Sequence, residues 1–206
     1  MGKFISLEGI EGSGKSTQSK LLYEYLKKKG TDVVLTEEPG GTRIGVSIRT
    51  VLLSVECKGM SPLTELLLYN ASRAQHIQDV IIPALNKGAT VITDRFTDST
   101  LAYQGYGRGL NLGMIDALDR IATGRLRPDI TILLDLDVET GLRRNRGVNK
   151  TDRLELEDIS FHERVRSGYH RLAAEDPARI KLIRVTGGID ETHMKIIDVL
   201  GKISNR

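Results

Sequence analysis

Five short apolar runs, each separated from the next by a helical stretch, restrict this chain more than any other feature. They are Phe4-Ile5-Ser6-Leu7, Val33-Val34-Leu35, Thr90-Val91-Ile92-Thr93, Ile130-Thr131-Ile132-Leu133-Leu134 and Ile180-Lys181-Leu182-Ile183-Arg184-Val185. Runs with so little polar alternation fit parallel strands covered on both faces. The alternation predicts an α/β fold, a five-stranded parallel sheet flanked by helices on both faces. Helices are expected from Ser16 to Lys29, from Ser61 to about Pro83, and from about Asp190 to Ile203. Ser61-Pro62 supplies a cap and a first-turn proline to the second of these. Leu63, Leu67, Asn70, Ala74, Ile77 and Ile81 form its expected inner stripe. No repeat or linker interrupts the 206 residues, which read as a single domain, 1–206.

Composition excludes several classes. The single cysteine, Cys57, rules out a disulfide framework and fits a reducing, cytoplasmic setting. Cys57 has no Cys or His at ligand spacing, and His76, His162, His170 and His193 show no metal pattern. No apolar run is long enough to span a membrane, and the N-terminus lacks a signal-peptide pattern. A formal net charge of +3 with interspersed signs gives no nucleic-acid surface. Small anionic ligands suit it better.

In sheets of this kind ligands bind at the carboxyl ends of the strands. Just beyond the first run, Gly9-Ile10-Glu11-Gly12-Ser13-Gly14-Lys15-Ser16 matches G-x-x-x-x-G-K-[ST]. Its glycines let backbone N–H groups turn inward around phosphates. Lys15 would reach the β- and γ-phosphates, the Ser16 hydroxyl would ligate Mg²⁺, and the following helix adds a positive dipole end. Asp94, at the tip of the third run, could hold the Mg²⁺ shell from the other side, and Arg95 follows it at once.

The segments Leu7 to Gln18, Glu38-Pro39-Gly40-Gly41-Thr42, Asp94-Arg95-Phe96, Ala102-Tyr103-Gln104-Gly105 and Asp152-Arg153-Leu154-Glu155 resemble those of the bacterial thymidylate kinases, along the whole chain. The resemblance implies a nucleoside monophosphate kinase of the phosphate-loop type. It would transfer the γ-phosphoryl of ATP to thymidine monophosphate for thymidine triphosphate synthesis, with Mg²⁺. Residues Gly9 to Thr17 would then bind ATP. Tyr69 and Arg73, neighbours on one helix face, would stack on thymine and bond its O4; the family more often has Phe at the first position. Gln104 and Ser99 would join the substrate site, and Tyr103 would crowd the sugar 2′ position. Glu11 would meet the 3′-hydroxyl and Pro39 would line the methyl pocket. Arg49 and Arg95 would hold the acceptor phosphate.

The stretch from Leu142 to Glu155 carries Arg143, Arg144, Arg146, Lys150 and Arg153. By resemblance it is a short lid over ATP. One branch of the family places an Arg inside the phosphate loop; Glu11-Gly12 stands there in this chain, so a lid Arg would supply that charge. Arg153 fits best, with Arg144 and Arg146 also at lid positions. Asn149-Lys150-Thr151-Asp152 spells a guanine-reading motif, but it follows Arg-Asn-Arg-Gly-Val rather than a buried strand. The family is typically a homodimer packed through helices.

Overall fold

A computed structural model of the chain describes residues 2–146 and 152–204. In chain order the elements are β1 (Phe4–Glu8), α1 (Lys15–Lys28), β2 (Val33–Glu37), α2 (Arg43–Leu53), α3 (Pro62–His76), α4 (Ile82–Asn86), β3 (Thr90–Asp94), α5 (Thr97–Thr100), α6 (Leu112–Thr123), β4 (Ile130–Asp135), α7 (Val138–Arg146), α8 (Ile159–Glu175), β5 (Ile180–Arg184) and α9 (Ile189–Ser204). Two π-helical stretches, Ile77–Ile81 and Leu101–Gly107, continue α3 into α4 and α5 toward α6. The strands form one parallel sheet in the order β2-β3-β1-β4-β5. The expected fold class is therefore what the structure has.

β1 lies at the centre, every residue buried. Its Ile5 and Leu7 pack with Leu22 of α1 and Ile196 of α9 on one face. Phe4 turns to the other, meeting Phe96 edge-on at 4.9 Å between ring centroids. Each such side chain contributes roughly 1.5–3 kcal/mol by leaving water. Local signals set the helix starts. The side chains of Thr42, Ser61, Asn111 and Asp158 accept from Gly45, Thr64, Met114 and Phe161 N–H groups. α1 differs: it begins after Gly14 with no side-chain cap, so its first amides stay available for an anion.

Half of the expected inner stripe is corrected: Asn70, Ile77 and Ile81 are buried, but the other three members are not. Leu63 and Leu67 are 46% and 48% exposed, and Ala74 is exposed as well. Beside Asn70, the buried face of α3 carries Glu65, Leu66, Arg73 and His76. That face turns toward a cleft lined with charge, so its core positions are polar and the leucines are displaced outward. The basic segment is helical up to Arg146. Residues 147–151, with Lys150 and most of the guanine-type motif, lie outside the described residues, as does the Arg146 side chain.

Candidate active site

The carboxyl ends of β1, β2 and β3 open into a cleft of about 710 Å³. One end is the phosphate loop. Lys15, only 7% exposed, folds across it and donates to the Ile10 carbonyl at 2.8 Å. Burial and the nearby Arg95 charge pull its ammonium down to about 8, against the opposing pull of Asp94, Glu11 and Glu8. The Ser16 hydroxyl donates to Asp94 Oδ2 at 2.6 Å. Two hard oxygen donors in contact suit Mg²⁺, which takes few protein ligands and completes its shell with phosphate and water. Gly9, Ile10 and Ser13 support the loop from below rather than lining the cleft. Ile10 is a core side chain, and the Gly9 carbonyl accepts from Arg95.

Arg95 sits at φ +74°, a left-handed conformation that costs a non-glycine residue about 1–3 kcal/mol. The surroundings hold it there. Nη1 donates to Gly9 O, Ser99 Oγ and Tyr169 Oη, and Nη2 to Glu11 Oε1 and Tyr103 Oη. Burial opposes its charge, but the oxygens of Tyr103, Tyr169 and Glu11 hold it well above the ordinary guanidinium range. Glu11 accepts from the Tyr103 hydroxyl at 2.6 Å. Burial would raise its carboxyl; His162, Arg95, Lys15 and Tyr103 outweigh that and hold it far below the usual range. Arg49 donates to the Pro39 carbonyl at 2.7 Å, close to Glu37.

The other end is built by α3 and the Leu101–Gly107 stretch, with Tyr69, Arg73 and Gln104 all lining the cleft. Arg73 is 2% exposed. Nε donates to Glu38, Nη1 to Thr100 and Asp119, and Nη2 to the Phe96 carbonyl. Of the five N–H donors of a guanidinium, this leaves one on Nη2 for a ligand. Arg73 is thus first a buried pillar. Tyr69 is raised above the ordinary phenol range by burial and by Glu65, so its hydroxyl stays a donor.

The cleft also takes in Arg144 of α7. Arg153 is placed elsewhere, which corrects its reading as a free lid cation: it is 4% exposed, Nη1 lies 2.6 Å from Glu65 Oε2, and Nε donates to the Leu52 carbonyl. A buried guanidinium needs an anion, and Glu65 captures it.

Several structural partners escaped sequence reasoning. Glu8, fully buried, accepts from the Phe96 amide, Ser99 and Tyr169. Glu38 joins Arg73 to His76. His162 lies with Nδ1 at 3.5 Å from Glu11 Oε2, too long for a good bond, and neither ring nitrogen has a hydrogen-bond partner among the described residues. A signal existed for Glu65: it stands four residues before Tyr69 and eight before Arg73, on the same helix face. Gly41 carries another. At φ +74°, a Cβ there would come within 2.4 Å of the His76 ring, so the Gly-Gly turn and that histidine specify each other.

Comparison with known proteins agrees with this geometry. The family model described as thymidylate kinase matches residues 7–196. The chain is 49% identical over 206 residues to a thymidylate kinase of Geobacter sulfurreducens, covering 97% of each chain. It is 47% identical over 207 residues to one of Citrifermentans bemidjiense, covering 97% of this chain and 92% of that protein. A crystal structure of thymidylate kinase from Ehrlichia chaffeensis superposes with a TM-score of 0.82 at 38% identity, covering 97% of this chain and 98% of that one. With the phosphate loop, Arg49, Arg95 and Tyr69 lining one cleft, and the likeness running almost end to end, this chain belongs to the thymidylate kinase family.

Proposed function

We propose that this chain transfers the γ-phosphoryl of ATP to thymidine monophosphate, releasing ADP and thymidine diphosphate for thymidine triphosphate synthesis. One observation carries the reading: a single cleft joins the Lys15 loop, Arg95 and the Tyr69–Arg73–Gln104 end. Donor phosphates and an acceptor base can be held at once.

The acceptor is already an anionic phosphate, so no general base is needed. The obstacle is mutual repulsion of two polyanions, and the protein answers it with alignment and cations. Lys15 turns from the Ile10 carbonyl to the β- and γ-phosphates. Arg95, held by five hydrogen bonds, presents its guanidinium beside the acceptor phosphate with Arg49. Arg144 approaches from the lid helix. Mg²⁺, held by Ser16 and Asp94, would neutralise charge on the phosphates when bound. Filling of the cleft by the two nucleotides excludes water, which strengthens every one of these contacts. Glu11 accepts from the 3′-hydroxyl, and Tyr103 crowds the 2′ position. Pro39 and its neighbours favour the thymine methyl by only about 1–3 kcal/mol, so deoxyuridine monophosphate is a poorer substrate rather than an excluded one.

The assembly is a homodimer joined through α2 and α3, whose Ile44, Val51, Leu63 and Leu67 are exposed. No helix among the described residues is long and apolar enough to cross a membrane. With Cys57 free, the cytoplasm is its compartment. The test is a panel of nucleoside monophosphates with ATP and Mg²⁺, reading ADP release. The highest kcat/KM should belong to thymidine monophosphate; release independent of any acceptor would overturn the assignment.

A further inference from the structure

We infer that Glu65 is a positioning residue that sets which way the Gln104 amide faces, and so selects a base with an N3–H over cytosine. The proposal rests on the base-site reading above. Glu65 is fully buried. Oε1 accepts from Gln104 Nε2 at 2.8 Å and from Arg108 Nε at 3.2 Å. Oε2 takes Arg108 Nη2 at 3.1 Å and Arg153 Nη1 at 2.6 Å. Burial would raise this carboxyl, but the bonds from Arg108 and Gln104 and the two guanidinium charges hold it below its ordinary value. It is therefore an ionised acceptor with nothing to donate.

The consequence falls on Gln104, 1% exposed at the base end of the cleft. An amide can turn either edge to a neighbour, and its network decides which. Facing a carboxylate, only the NH₂ group can point at Glu65. The oxygen Oε1 is then the acceptor left for a base edge. Thymine and uracil offer an N3–H donor there; cytosine offers a lone pair at N3 and cannot satisfy that oxygen. A site whose polar group is left unpaired by the wrong ligand discriminates far more strongly than an apolar pocket does. Arg108 and Arg153 keep the carboxylate charged, and neither is placed on the base itself.

The experiment is Glu65→Gln, assayed with thymidine monophosphate and with 5-methyl-deoxycytidine monophosphate. These substrates share the methyl group and differ only at N3 and C4. A glutamine at 65 can donate as well as accept, so Gln104 becomes free to turn over. The ratio of kcat/KM, thymine over 5-methylcytosine, is expected to fall roughly tenfold or more, a measurable share of what hydrogen-bonding sites achieve. The loss should be concentrated in the thymine substrate. Equal losses on both, with the ratio intact, would reduce Glu65 to packing and overturn the inference. Should the stranded Arg153 leave that variant unfolded, Glu65→Gln with Arg153→Gln removes the buried charge, since Arg108 keeps Glu157 as a partner, and the same ratio decides. If the unaltered enzyme itself shows no preference between the two substrates, the base-site reading fails first, independently of Glu65.

Discussion

Arg73 shows why one side chain can be misjudged from its position on a helix. The family resemblance marks it as a base reader, yet four of its five donors serve Glu38, Asp119, Thr100 and the Phe96 carbonyl. Glu38 is itself only 4% exposed. Burial opposes the Arg73 charge; Glu38 and Asp119 overcome that and raise it above its ordinary value. Asp119 moves the other way from the usual ion-pair partner: burial and Glu38 outweigh Arg73 and push it up to about 6. Glu38, more deeply buried and doubly bonded, is therefore the stronger anchor. Removing the guanidinium would strand these carboxylates in the interior. Arg73→Ala should accordingly lose about 3–5 kcal/mol of stability, the cost of breaking a buried pair from one side. Urea unfolding monitored by circular dichroism measures it. A loss under about 1 kcal/mol, within the range of surface ion pairs, would mean that Arg73 serves the ligand alone.

At the scale of elements, two contacts hold the phosphate loop in register with its neighbours. Glu8 closes β1 and fastens the start of α5 through the Phe96 amide and α8 through Tyr169. Burial and the nearby Asp98 raise its carboxyl to about 7, against the pull of Ser99, Arg95 and the Phe96 amide. In the unfolded chain it would titrate near 4.5. A folded-state value raised in this way makes a stability contribution that is fully present below about pH 4.5 and lost as the pH climbs through about 7. Glu8→Gln cannot ionise, so the stability difference, native minus variant, should shrink across that window. Denaturant titrations at a series of pH values test this, and a flat difference refutes it. The second contact joins the loop to α7. A Cβ on Gly141 would lie 2.5 Å from the Glu11 carbonyl, and one on Gly12 would lie 2.1 Å from the Gly141 carbonyl. Only glycine against glycine permits this approach. Gly141→Ala should push α7, with Arg144, away from the loop. A displacement near 1 Å can cost about 100-fold, so kcat/KM for ATP should drop by ten- to a hundredfold while thymidine monophosphate affinity holds. Unchanged ATP kinetics would show that the lid helix adjusts freely.

For the whole molecule, the strands and their parallel direction were legible because buried parallel strands write themselves as apolar runs, and the phosphate loop because its glycines and lysine have a fixed spacing; the strand order was not. The polar supports were not legible. Glu8 and Asp119 lie far in sequence from what they hold, and nothing local marks either as buried; the position of Glu65 places it on the face of Tyr69 and Arg73 but does not reveal that Gln104 and Arg153 close on it. Arg153 misled for the same reason: a basic run reads as solvated until a distant Glu65 claims one member. α3 misled differently. Periodicity reveals that a helix has an apolar stripe, but not whether the stripe meets the same chain or another copy. Leu63 and Leu67 satisfy the pattern and stand half exposed, as do Ile44 and Val51 of α2, the helix packed against α3. An apolar surface of this kind is ordinarily covered by a partner, and a second copy of the same helix pair would bury it under twofold symmetry. Leu67→Glu places a charge in that surface. In the isolated chain an exposed substitution costs no more than about 0.5 kcal/mol, so folding should survive. Sedimentation should change from dimer to monomer, and the melting temperature should lose the concentration dependence that dimerisation imposes. A Leu67→Glu protein that still sediments as a dimer would move the interface to another face, and native protein sedimenting as a monomer at assay concentration would remove it altogether.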